Sequence, residues 1–280
     1  MKPVALPPWS WAALAMVLIQ LGAALSAPML RDAGAFSVTW LRLCWAAVLM
    51  LAFVRPAGVI REVLMGRAWL VVALGTASGI MTMCYFSAVA RIPLGMSNAI
   101  EFLGPLGVAV AGSRKWRDFI WVALAGCGVV LLLQPGRSWQ PDPAGIGFAV
   151  ASAFGWAAYI LLTQRVGARF AGLDGVAVSL TIAALVATPP GLVQAWGRVS
   201  VRDALAAGGI AILIPVLPYV LELSALRRMS AASFGILMSL EPAIAAVMGV
   251  LLLGQHPGLF QLAGFACVIG ASIGTLRQKA

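Results

Sequence analysis

YFSAVARIPLGMSNAIEFLGPLGVAVAG, residues 85–112, returns without a gap as ELSALRRMSAASFGILMSLEPAIAAVMG, residues 222–249. Ser87/Ser224, Ala88/Ala225, Arg91/Arg228, Leu103/Leu240, Pro105/Pro242, Ala109/Ala246, Val110/Val247 and Gly112/Gly249 coincide. Both copies occupy the same place in their half of the 280-residue chain, and each carries one glutamate, Glu101 or Glu241, inside an apolar run. A repeat of this kind in a membrane protein points to a transporter.

Working outward, the membrane setting follows from composition. Hydrophobic residues make up 62% and charged residues 10%, with a mean hydropathy of +0.98; a soluble domain carries about 25% charge. Apolar stretches of roughly 20 residues, enough to cross a ~30 Å hydrocarbon core as helix, fall at about 10–30, 36–54, 68–89, 93–112, 118–134, 143–163, 175–196, 205–225, 230–253 and 257–276. Ten helices leave little chain for a soluble domain. Connections as short as 31–35, 90–92 and 254–256 force neighbouring helices to lie antiparallel.

Basic residues set the orientation. With the N-terminus in the cytoplasm, thirteen of the nineteen fall on inner segments: Lys2, Arg55, Arg61, Arg67, Arg114, Lys115, Arg117, Arg165, Arg169, Arg227, Arg228, Arg277 and Lys279. Five fall on outer loops (Arg31, Arg91, Arg137, Arg198 and Arg202), and Arg42 lies inside a helix. This asymmetry satisfies the positive-inside rule with both termini cytoplasmic. The net charge of +10 is therefore a topology signal. Scattered over short loops, these residues form no stripe for nucleic acid. Lys2 and the small residues Ala23–Ala27 give the first stretch the look of a signal peptide. Its removal would leave nine spans and orphan the stretch at 143–163, so it is expected to stay.

Because five is odd, the second set of five helices must enter the membrane from the opposite side. The expected fold is an all-α integral membrane protein of ten transmembrane helices, built as two inverted five-helix repeats, residues 1–138 and 139–280, with N-in/C-in topology. QLGAALS (20–26) and AFGWAAY (153–159) relate the first and sixth helices, more loosely than the duplicated block relates helices three and four to eight and nine. Two such bundles enclose a central cavity that opens to either side by rocking.

Ionisable residues stand out in these helices. Arg42, Glu101, Glu222 and Glu241 would each cost about 2.5–3.5 kcal/mol at a helix centre on insertion scales and therefore face a bundle interior or cavity. At 1.5 Å per residue, Glu101 and Glu241 come out near the midplane. Each has a proline beside it, Pro105 and Pro242, which frees the carbonyls of Glu101 and Met238 from helical bonding. Free carbonyls beside carboxylates suit an amine or a proton; a structural kink is the competing reading. Asn98 shares a helical face with Glu101 and Pro105. For Arg42, three readings are open: binding a substrate carboxylate, pairing with a glutamate, or snorkelling outward. Glu222, near Arg227 and Arg228, reads as a gate or an end-of-helix ion pair at least as readily as a substrate contact. Pro215 and Pro218 in IPVLPYVLE mark a hinge or a packed kink. Tyr85, Tyr159 and Tyr219, the only tyrosines, need hydroxyl partners inside helices and are candidate pocket residues.

Several features carry no site. Trp9, Trp69, Trp139 and Trp196 near helix ends read as interfacial anchors. Cys44, Cys84, Cys127 and Cys267 lack CxxC spacing and read as fillers. His256 lies in a short outer loop, with no metal or catalytic role expected, and the Gly75–Gly79 spacing reads as close helix packing. No phosphate loop, zinc motif or nucleophile elbow occurs in the sequence, so no cofactor is expected.

PYVLELSALRRMSAASFGILMSLEPAIAAVMGVLLLGQ (218–255) and TWLRLCWAAVL (39–49) resemble the drug/metabolite transporter superfamily with its paired EamA domains. The resemblance covers nearly the whole chain. AIEFLGPLGVAV (99–110), together with the 218–255 block, is most similar to the threonine/homoserine exporter branch. Gln255-His256 departs from the Gly-Glu often found at that loop in the family. The resemblance implies secondary transport of small polar metabolites such as amino acids, outward across the cytoplasmic membrane. Its expected partners are substrate, lipid and proton, with no obligate protein partner. Proton coupling would place Glu101 and Glu241 in competition between a proton and a substrate ammonium. An uncoupled facilitator and an exporter of drugs or other metabolites are the rivals within transport. A membrane-embedded enzyme would need a catalytic constellation that one loop histidine and dispersed acids do not supply. A channel or non-transporting partner would need a continuous polar pore or a large helix-dimer surface.

Overall fold

The computed structural model describes residues 7–111, 118–134, 142–170, 173–226, 228 and 237–277, and among these every regular element is helical. In chain order the helices are α1 (Pro8–Asp32), α2 (Ala35–Val54), α3 (Ala57–Leu64), α4 (Trp69–Val89), α5 (Leu94–Glu101), α6 (Leu103–Ala111) and α7 (Asp118–Leu132). They continue as α8 (Pro143–Arg169), α9 (Asp174–Ala195), α10 (Val201–Ala211), α11 (Leu217–Leu226), α12 (Glu241–Leu253) and α13 (Leu259–Arg277). Six helical segments are long and apolar enough to cross a membrane: α1, α2, α4, α8, α9 and the run Val201–Glu222. Shorter apolar helices occupy Ala123–Leu132, Glu241–Leu253 and Leu259–Ala271. The chain is thus a multi-pass, all-helical membrane protein. Residues 230–236 of the ninth expected stretch, Lys2, Arg114, Lys115, Arg117, Arg137, Arg227, Lys279 and Trp139 lie outside the described residues.

Local chemistry sets the ends. Asp142 caps α8, accepting from the Ala144 and Gly145 amides at 2.9 and 3.2 Å, with Pro143 following it. Ser200 and Asp203 form a capping box at α10, which starts it four residues before the expected 205. Two helix starts are capped from distant chain. Gln194 Oε1 accepts from the Phe36 and Ser37 amides at 2.7 and 3.1 Å. Gln255 Oε1 accepts from the Leu94 amide at 3.2 Å, which gives the departure at Gln255 a structural role. Helix α3 was not expected: its eight residues AGVIREVL are too few and too mixed to register as a span. It buries Val59 and leaves Glu62 to a loose 3.9 Å ion pair with Arg169.

Three of the expected stretches are interrupted. The fourth breaks at Phe102, between α5 and α6, where Pro105 has no N–H to give the Glu101 carbonyl. The ninth turns at Ser239 and Leu240, and Pro242 stands in the first turn of α12. The eighth contains a π-turn over Ile212–Val216, with Ile214 extended (φ −155°, ψ 114°) and a cis Ile214–Pro215 bond. There α1 comes close: a Cβ on Gly22 would sit 2.5 Å from Ile214 Cγ2.

Packing has a regular pattern. Helix α4 lies along α8, and α11 along α1; α4 also packs on α9, and α10 on α2; α5 and α6 pack on α8, and α12 on α1. The pairs α2–α9, α5–α12 and α7–α13 complete the most extensive contacts. With the ten stretches numbered in order, adding five to both members, cyclically, turns each of the first three contacts into its counterpart. The last three map onto themselves. Lesser contacts, such as α2 on α4 and α1 on α4, lack such a counterpart among the described residues. Gly75 and Gly79 lie against α9, where a Cβ would approach the Ser179 and Ala183 carbonyl oxygens to 2.5 and 3.0 Å, so this spacing serves close packing.

Candidate functional site

Where these helices converge, the core turns polar. Arg42 on α2 is 1% exposed, Glu241 on α12 is 4% and Glu101 on α5 is 7%. Gln20 and Ser26 on α1, Thr39 on α2 and Ser152 on α8 are fully buried, and Asn98 on α5 and Tyr85 on α4 nearly so. Of the residues singled out in sequence, Arg42, Tyr85, Asn98, Glu101 and Glu241 meet here. Glu241 is within electrostatic range of Glu101 and Tyr85, and Tyr85 within range of Arg42.

Each acid has a partner from the opposite half of the chain. Ser152 Oγ hydrogen-bonds Glu101 Oε1. The same hydroxyl also faces the Met81 carbonyl at 3.1 Å. It has one proton for two acceptors, so when it donates to the carbonyl, Glu101 must supply the proton between them. Gln20 Nε2 donates to Glu241 Oε1 at 3.1 Å. Asn98 lies close enough to interact with both Tyr85 and Glu241. Its Oδ1, the Tyr85 hydroxyl and Glu241 Oε2 nevertheless lack a well-formed bond. One turn after Ser152, Trp156 packs edge-on against Phe102, the residue at the α5–α6 break, with ring centroids 5.7 Å apart.

Arg42 is held without a counter-charge. Its Nη1 donates to Ser26 Oγ at 3.2 Å, while Ser26 Oγ donates to the Gly22 carbonyl at 2.6 Å. Its guanidinium carbon lies 3.8 Å from the centroid of the Phe86 ring, an attractive but modest cation–π contact. The only ion pair among the described residues is the distant Arg169–Glu62, and at 1% exposure Arg42 does not reach the surface. Among the described residues Arg42 thus has no ion pair with a glutamate and lies inside the helix bundle. Buried polar atoms normally have partners. Arg42 Nε, Thr39 Oγ1, Tyr85 Oη, Asn98 Oδ1, Gln20 Oε1 and Glu241 Oε2 have no well-formed bond among the described residues. A single core holding two carboxylates and a guanidinium with no ion pair among the described residues suits a small zwitterion.

Tyr159 on α8 and Tyr219 on α11 lie elsewhere, their hydroxyls 3.0 Å apart. Glu222, one turn beyond Tyr219, is within electrostatic range of both tyrosines and of Glu241. Pro218 stands beside this group, and Pro215 within the π-turn. Trp9, Trp69 and Trp196 are 58, 61 and 85% exposed at helix ends. The four cysteines are free, and no metal-binding cluster occurs among the described residues. Sequence reasoning missed Gln20 and Ser152. Gln20, a lone amide inside an otherwise apolar first stretch, could have been found; Ser152 resembles many buried serines and gave no signal.

Helices of this kind around a buried charged core define a membrane transporter. The chain belongs to the EamA-like transporter family, whose pattern matches residues 143–277. It is 39% identical over 271 residues to the threonine/homoserine exporter RhtA of Salmonella typhimurium, spanning 95% of this chain and 91% of that protein. The threonine/homoserine exporter RhtA of Escherichia coli K12 is 38% identical over 264 residues, 94% of this chain and 88% of that one. A crystal structure at 20% identity shares the fold, with a TM-score of 0.60 over 96% of this chain and 98% of its own.

Proposed function

We propose that this protein is a secondary active exporter of amino acids such as threonine and homoserine, working by proton-coupled alternating access. The observation that carries this reading is Arg42, a buried guanidinium with no carboxylate in ion-pair range among the described residues, in the same core as Glu101 and Glu241. A substrate α-carboxylate satisfies the guanidinium bidentately. Its ammonium then lies against Glu241 Oε2, Asn98 and Glu101, in competition with protons. The exporters among the relatives carry amino acids of this charge pattern.

The architecture proposed for this cycle is ten transmembrane helices in two inverted repeats, 1–138 and 139–280, with both termini in the cytoplasm of an inner-membrane protein. The exchange of helix contacts on adding five supports it, as does the crosswise pairing of Ser152 with Glu101 and Gln20 with Glu241. Breaks at Phe102, Ile214 and Ser239–Leu240 support hinge roles for Pro105, Pro215, Pro218 and Pro242, at which half-helices reorient.

Radiolabelled threonine and homoserine flux in proteoliposomes under an imposed pH gradient tests the reading. Gradient-driven flux in the wild type, lost in Glu101→Gln and Glu241→Gln, is the expected result. Flux indifferent to the gradient in the wild type overturns the coupling. Flux unchanged in both variants overturns the site.

A further inference from the structure

Tyr159, Tyr219 and Glu222 form a second polar group, apart from the cluster around Arg42 and unlike it in exposure. Ser26, Arg42 and Tyr85 are 0, 1 and 6% exposed, whereas Tyr159, Tyr219 and Glu222 are only half-buried. The two groups are nonetheless counterparts. In the gapless alignment of 85–112 with 222–249, Tyr85 stands opposite Glu222. In the alignment of QLGAALS with AFGWAAY, Ser26 stands opposite Tyr159. An inverted repeat puts such counterparts at matching depths on opposite sides of the midplane. The group around Ser26 and Tyr85 has a cation, Arg42; the group around Tyr159 has an anion, Glu222.

Geometry makes the second group a receptor for a cation. Tyr219 and Glu222, three residues apart on α11, share one face. Tyr159 reaches them from α8, its hydroxyl 3.0 Å from that of Tyr219, although the two helices have no extensive packing of their own. One phenol proton satisfies that contact, and Thr163 also lies within reach of the Tyr159 hydroxyl. Thr163, one turn after Tyr159, keeps a buried hydroxyl without a well-formed bond. Two phenol rings, hydroxyl oxygens and one carboxylate suit an ammonium group by charge, hydrogen bonding and ring attraction. Glu222, one turn from the described end of α11, is also within electrostatic range of Glu241, so a cation held here is one step from the midplane acids.

We infer that Tyr159, Tyr219 and Glu222 form a cytoplasm-side docking station for the substrate's ammonium group, occupied before that group passes to Glu241. The inference rests on the exporter reading and its topology. Half of the chain then presents a carboxylate-binding cation towards the outside, and the other half an ammonium-binding anion towards the cytoplasm. A zwitterion travels outward with its carboxylate leading.

Side-resolved counterflow of radiolabelled threonine tests this, in proteoliposomes whose protein orientation is fixed by protease protection. Glu222→Gln should raise the half-saturation concentration at the cytoplasmic face by about tenfold, the scale of one charged hydrogen bond. The outer face should stay within about twofold. Tyr219→Phe, which keeps the ring and the packing, should act at the same face by about threefold, and Glu222→Asp should recover part of the loss. Equal weakening at both faces, weakening at the outer face alone, or no weakening would each overturn the station and leave the exporter reading standing. A wild type that carries neither threonine nor homoserine overturns the exporter reading first, and the station with it.

Discussion

Glu101 and Glu241 are both buried glutamates at helix breaks, each partnered from the other half of the chain, yet their partners differ in kind. Ser152 is a hydroxyl that donates or accepts by turning one proton about one bond. Gln20 presents an amide whose Nε2 only donates and which must rotate as a whole to accept. Glu101 therefore keeps its hydrogen bond whether charged or neutral, with the Met81 carbonyl taking the serine proton when the acid supplies its own. Glu241 keeps one oxygen bonded to Gln20, while its Oε2 lacks a well-formed bond among the described residues. The difference teaches that two acids, one in each half of the chain, can divide the labour: on the proposed exporter reading, Glu101 changes protonation state and Glu241 presents a charge.

The largest test of that division is charge removal. Glu241→Gln should abolish threonine binding and flux together, whereas Glu101→Gln should abolish gradient-driven flux but retain threonine exchange at zero gradient; flux assays with and without the gradient separate them. Next in size, Arg42→Ala leaves the substrate carboxylate uncompensated, at a cost of about 2–5 kcal/mol, or roughly 30- to 5000-fold in affinity. Scintillation proximity binding measures it, and Arg42→Lys should recover only part because it lacks the bidentate fork. Removing the partners comes third. Gln20→Ala should weaken binding by about 1.5–3 kcal/mol, as for a hydrogen bond to a charged group. Ser152→Ala should leave affinity nearly unchanged and alter the pH dependence of flux instead, so equal effects on affinity would break the comparison. Smallest is Phe86→Leu, which removes the ring beneath Arg42 and should cost about 1 kcal/mol, read as a fivefold rise in KM.

The sequence revealed the charged residues more readily than their surroundings. Arg42, Glu101 and Glu241 were visible because a charge in an apolar helix is expensive, and Asn98 because it shares the helical face of Glu101. Pro105 and Pro242 marked their breaks because a missing N–H must leave a carbonyl unbonded. The partners stayed hidden because a serine or an amide is cheap enough to occur in a helix for packing alone. The fate of Arg42 depended on which helices converge, and no spacing along one helix encodes that. Helix α3 was missed because eight residues of mixed polarity do not make a period long enough to read.

The edge-on contact between Trp156 and Phe102 equips the protein with an optical reporter. The indole rests on the residue next to Glu101, at the point where the fourth stretch bends, while Trp9, Trp69 and Trp196 sit at exposed helix ends. Straightening of that bend, or a ligand settling beside Glu101, changes what surrounds the Trp156 ring and leaves those three as a constant background. The difference in emission between wild type and Trp156→Phe should therefore follow occupancy of the core in real time, without any label.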